Sequence, residues 1–113
     1  MSISEQIQRL RLRLLVHSCI YYKLGTSLVD DRVWDSWAKE LIALQDQYLD
    51  IASTVCWSSA FEDWDGSSGF QLPLEDPWVM GKAKYLLRIW NKSFAVDHVS
   101  SAPLSKPKKK KLF

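Results

Sequence analysis

His17–Gln45 reads HSCIYYKLGTSLVDDRVWDSWAKELIALQ: an aromatic helix end, a short polar link and the start of a second helix. Cys19 and Tyr22 close a pattern that begins upstream with Ile7, Leu10, Leu14 and Leu15 at three- and four-residue spacing, with Arg9, Arg11 and Arg13 on its flanks. Ser4 is a candidate cap for that helix. Gly25 is placed to end it, with Lys23 in its last turn. The second helix starts at Asp30 or Asp31, where a carboxylate suits an N-terminus. Its apolar stripe is Trp34, Trp37, Ala38, Leu41, Leu44 and Tyr48. Two such stripes joined by a short turn predict an antiparallel helical hairpin.

A third helix is expected from about Asp76 to Lys92. Pro77 sits in its first turn, and Val79, Met80, Ala83, Leu86, Leu87 and Trp90 form its core face. Residues 53–75 between them are polar and glycine-rich, and long for a connector. Phe61, Trp64 and Phe70 are expected to pin this loop to the hairpin. The fold class is therefore all-α: a hairpin plus a third helix, with an aromatic-pinned loop between helices 2 and 3. Residues 1–95 form one small domain, and residues 96–113, ending KPKKKKLF, read as a disordered basic tail.

Composition agrees with a globular domain, at 47% hydrophobic and 25% charged residues. All thirteen acidic residues lie before residue 106, and five of the fifteen basic ones lie at or after it, so residues 1–105 carry 10 − 13 = −3. Such a body does not suit gripping duplex DNA. Cys19 and Cys56 form no CxxC pair, and His17 and His98 have no partner set nearby, so neither a zinc site nor a structural disulfide is implied. The charged start, MSISEQIQRLRLR, is read as neither a signal peptide nor a membrane span, and a cytoplasmic location is expected.

Tyr21, Tyr22 and Trp34 offer ring faces, and Asp31 and Asp35 offer hydrogen-bond acceptors one helical turn apart. The order of these residues, followed by Glu40-Leu41-x-x-Leu44-Gln45, resembles domain Ia of NAD-dependent DNA ligases across residues 5–48. The resemblance implies that Tyr21, Tyr22, Asp31, Trp34 and Asp35 contact the nicotinamide mononucleotide half of NAD. Trp34 replaces a Tyr, and Asp30 stands where Ser or Pro is usual. A chain of 113 residues has no room for the other ligase domains. Residues 61–90 resemble an element of small bacteriophage proteins that carry a ligase-like hairpin. That likeness rests on Phe61, Asp63, Trp64, Asp65, Gly66, Ser67, Gly69, Phe70, Leu72 and Pro73, then Asp76, Pro77, Lys82 and Ala83.

Each candidate also has a plainer role. Tyr21 and Tyr22 fit ordinary helix packing, and Asp31 fits a first-turn acid. The loop residues Phe61, Asp63, Trp64 and Asp65 form a candidate interaction surface. DWDGSSG also fits a tight glycine turn held by Asp63 and Asp65. It is no calcium loop. With Gly66 as the invariant glycine the first ligand is Phe61; with Asp63 first, Leu74 takes the bidentate Glu position. Nor is it an adenylation motif, because Asp63 stands where the nucleophilic lysine belongs.

No nucleophile–base pair or phosphate loop is present, so no enzyme activity, metal or required cofactor is expected. Two functions follow. One is a phage-type module binding nicotinamide mononucleotide or NAD without chemistry. The other is a protein-interaction module that inhibits or modulates a host or defence enzyme, with the hairpin as an inherited scaffold. The tail residues Lys108, Lys109, Lys110, Lys111, Leu112 and Phe113 add an expected contact. Lysines bring weak affinity for nucleic acid, and the terminal Leu-Phe is similar to the ending of sliding-clamp-binding peptides. A solvated charge run is the plainer reading of the same residues.

Overall fold

The computed structural model describes the backbone of residues 1–97 and the side chains of residues 1–91. The tail contacts expected from Lys108 to Phe113, and the part of the expected tail (residues 96–113) from residue 98 on, lie outside the described residues. The described chain is all-α: α1 (Ile3–Lys23), α2 (Asp31–Gln47), α3 (Leu49–Ala52), α4 (Ser58–Phe61) and α5 (Pro77–Asp97). None of these helices is long and apolar enough to cross a membrane.

α1 is capped by Ser2, not Ser4. The Ser2 hydroxyl accepts from the Glu5 amide at 3.2 Å, and the Glu5 carboxylate accepts from the Ser2 amide at 3.1 Å. This reciprocal box satisfies two N-terminal donors, which a lone Ser4 hydroxyl cannot do. The C-terminus ends as expected: Gly25 takes φ +73°, and the amides of Leu24 and Thr26 return to the Ile20 carbonyl. Ile7, Leu10, Leu14, Leu15 and Cys19 are buried, and so are Val16 and Ile20. The buried face is wide because α1 packs against both α2 and α5. Arg11, expected on the flank, is also inside, at 2% exposure.

Asp30 caps α2 through the Arg32 amide at 2.9 Å. Trp34, Ala38 and Leu41 are buried, while Trp37 and Leu44 are half-buried. Ser18 meets Trp34 and Arg11 meets Gln45, so residue numbers rise on one helix as they fall on the other. That is the register of an antiparallel hairpin.

The long loop is partly helical. The backbone breaks at Tyr48 (φ −125°, ψ 58°), and α3 and α4 follow as single turns. Phe61 is fully buried and Trp64 half-buried, as expected of pins. Phe70 is 65% exposed and meets the hairpin edge-on at Tyr22, and Leu72 and Leu74 take the inner positions. α5 starts behind Asp76, whose carboxylate accepts from the amides of Trp78 and Val79. It runs to Asp97 rather than Lys92. Val79 and Ala83 are buried; Trp90, assigned to the core face, is 40% exposed.

Candidate functional site

The hairpin does not present its aromatic residues as one open platform. Trp34 has no exposed surface. Its indole N–H donates to Ser18 Oγ at 3.1 Å, and Trp64 meets it at 5.9 Å between ring centroids and 81° between planes. The stacking face that the ligase resemblance assigns to Trp34 is thus a core surface. A Trp is larger than the Tyr expected there, and a buried indole has one N–H to satisfy, which Ser18 does. Tyr22 is half-buried and sits edge-on to Tyr21 at 4.9 Å and to Phe70 at 5.3 Å. Its hydroxyl lies 3.4 Å from Ser68 Oγ. Burial, then Tyr22, then the Asp31 carboxylate push the Tyr21 phenol up. The structure therefore brings Tyr21 and Tyr22 together, leaves Asp31 and Asp35 exposed, and places Trp34 in the interior.

The DWDGSSG loop is what closes over that face. Asp65 accepts from the Ser67 amide at 2.9 Å and the Ser67 hydroxyl at 2.7 Å, and these bonds hold its carboxyl below the ordinary range. Gly66 takes φ +83° against Ile42. The Trp64 indole donates to the Ser68 carbonyl at 2.7 Å. At Gly69 a Cβ would fall inside the envelope of Ser18 Oγ and 2.8 Å from Ser18 Cβ, so only glycine allows this approach. Phe61 and Trp64 point inward, while Asp63 and Asp65 stay exposed. No group of three or more metal-ligating side chains occurs among the described residues. Cys19 and Cys56 are both free thiols.

A second cluster has no counterpart in the sequence reading. The Arg11 guanidinium donates to Gln45 Oε1, to the carbonyls of Val55 and Cys56, and to that of Ala52, each at 3.0 Å. Phe61 lies 5.7 Å beneath it. Burial lowers its pKa from the ordinary guanidinium value. A cleft of about 230 Å³ opens beside it, with Glu62 and Ser58 at the rim. Four of the five guanidinium N–H groups are spent on protein acceptors, so Arg11 acts as a clamp on the turn after α3. Its position signals this: Arg11 lies four residues from both Ile7 and Leu15, on the buried face.

The outward face of α5 is the third feature. Trp78 is 44% exposed, Tyr85 51% and Ile89 42%. Their spacing of seven and four residues puts them in one row. Lys82 Nζ lies 5.6 Å from the Trp78 ring and 5.9 Å from that of Tyr85, and Arg88 lies 5.5 Å from Tyr85. Trp57, held in the left-handed region at φ +72°, places its ring 6.3 Å from Trp78. Between α1 and α5 runs a groove of about 420 Å³ floored by Leu12, Val16 and Leu86, with Arg13, His17, Lys82 and the two aromatics along its sides. His17 is neutral there: burial, then Arg13, push its pKa down to about 4. Its Nδ1 is buried and makes no hydrogen bond. Residues 1–76 hold twelve acidic and six basic side chains, whereas residues 77–96 hold four basic and none acidic.

Comparison with protein-family models, with curated proteins and with solved structures finds no match.

Proposed function

We propose that this chain is a non-catalytic protein-interaction module that presents the outer face of α5 to its partner. The observation that carries this reading is the exposed row of Trp78, Tyr85 and Ile89 on a helix whose other face is already packed. Trp, Tyr and Arg are the residue types that dominate interface hot spots, and Trp78, Tyr85 and Arg88 stand on this helix. Trp57 supports it, because a bulky residue at positive φ is strained, and here its ring lies against Trp78. A partner that is a host or defence enzyme, inhibited or modulated on docking, is the specific form we favour.

The competing reading is a module for nicotinamide mononucleotide or NAD on the hairpin. Tyr21 and Tyr22 are half-buried and Asp31 and Asp35 exposed, so it retains these four but not the ring face of Trp34. Two measurements separate them. Calorimetry with nicotinamide mononucleotide and NAD at millimolar concentration is expected to give no saturable heat; binding that Asp35→Ala abolishes would favour the nucleotide. Affinity capture with the full chain is expected to retain a stoichiometric protein that the double variant Trp78→Ala, Tyr85→Ala loses and Tyr21→Ala keeps. Capture that survives loss of both α5 aromatics would overturn the assignment to this face.

A further inference from the structure

We infer that the groove between α1 and α5 seats an acidic amphipathic helix of a partner protein, a proposal that rests on the interaction-module reading. The floor is aliphatic, from Leu12, Val16 and Leu86, and Trp78 and Tyr85 stand over it half-exposed. Such a trough takes apolar anchors repeating at three- and four-residue intervals. From Trp78 to Ile89 the row spans about 16 Å at 1.5 Å per residue, close to three helical turns of an occupant.

Charge selects among occupants. Arg13 and Lys82 line the groove and Arg88 flanks it, and among the described residues none of the three forms an ion pair with a carboxylate. Their positive ends are held near the ring faces of Trp37, Trp78 and Tyr85, so the cations are positioned before any partner arrives. A second copy docked α5 to α5 would set Lys82 and Arg88 against themselves. The lysine-rich residues 106–111 of this chain would meet the same repulsion. Single-stranded nucleic acid would match the cations and rings, but its phosphates would then run past one basic helix onto residues 1–76, which carry a net charge of −6 from twelve acidic and six basic side chains. A short acidic helix meets the cations at the rim and fills the aliphatic floor without leaving the groove.

The test is selection from a displayed library of random peptides, each about four helical turns long. The target is the full chain, with Trp78→Ala, Tyr85→Ala as counter-target. The expected outcome is enrichment of peptides with apolar residues at helical spacing flanked by Asp and Glu. Lys82→Glu with Arg88→Glu should weaken the selected peptides about tenfold or more, and Lys-for-Glu versions of them should recover affinity for that variant. Enriched peptides that are neutral or basic would overturn the charge assignment while leaving the α5 interaction face intact. Failure to enrich any peptide that the counter-target loses would overturn both. A 20-nucleotide oligo-dT binding more tightly than the selected peptides, and displacing them, would make the groove a nucleic-acid surface instead.

Discussion

Arg11 Nε donates to Gln45 Oε1 at 3.0 Å across the α1–α2 interface, and no carboxylate pairs with that guanidinium among the described residues. A buried cation is here neutralised by dipoles alone: one amide side chain and three backbone carbonyls. Those acceptors have few other partners, so the arginine and the turn at residues 52–56 depend on each other.

Arg11→Met should therefore lower unfolding free energy by about 3–5 kcal/mol, because the side chain's volume is replaced but several buried acceptors lose their donor. Arg11→Lys should also destabilise, by about 2 kcal/mol, since a point charge cannot reach four acceptors spread around a planar fork. Urea unfolding at neutral pH measures both. An Arg11→Met protein as stable as the wild type would mean that the clamp contributes nothing.

Gly69→Ala should destabilise by about 1–3 kcal/mol, through overpacking against Ser18. Adding Ser18→Gly should recover part of the loss, although the Trp34 indole then lacks its acceptor. Thermal melts of the two single variants and the double variant test the pair. Protease sensitivity confined to residues 62–71 would show that the loop has lifted from the hairpin.

His17 makes stability depend on pH in a defined window. Its native pKa is about 4, against about 6.5 for the unfolded chain. Above pH 6.5 both states are neutral and His17 contributes nothing. As pH falls from 6.5 to 4 the unfolded chain takes up a proton that the native imidazole refuses, so stability drops by about 3 kcal/mol. Below pH 4 both states are protonated and the loss is complete. His17→Leu should flatten the slope between pH 6.5 and 4 in a series of urea midpoints. An unchanged slope would locate the proton uptake elsewhere.

Gly81→Ala should raise stability by about 0.5–1 kcal/mol. The residue is mid-helix, and a Cβ there would meet nothing within 4 Å. Chemical denaturation of the pair measures the gain. A loss of stability instead would mean that α5 uses the flexibility of this glycine.

Periodicity made the hairpin legible. Ile7 to Cys19 and Trp34 to Leu41 recur at intervals only a helix uses, and the Asp30–Asp31 step and Gly25 mark the ends that bound the turn. Polarity is a poor guide where geometry rules: the charge of Arg11 suggests a flank, although its angular position is that of the core. Trp34 was legible as part of the stripe, but nothing local says whether an aromatic on a stripe faces a ligand or Ser18. The closure of the loop depends on Gly69 meeting Ser18, fifty-one positions away, and no short-range pattern encodes such a meeting. α5 is apolar on two sides, so spacing alone could not say that Val79 and Ala83 pack while Trp78, Tyr85 and Ile89 stay outside.

The placement of α1 between α2 and α5 also sets how the molecule comes apart. Each outer helix draws its main tertiary support from α1, so α5 can detach while the α1–α2 pair persists, and detachment of α1 dissolves both interfaces at once. Amide exchange should accordingly be slowest in the middle of α1, around Leu14 and Leu15, and α5 should exchange as a separate and weaker unit. A partner seated along α5 would then do more than bind: by tying down the least secure helix it would bring the exchange of α5 toward that of α1, turning a domain with two levels of protection into one with a single level.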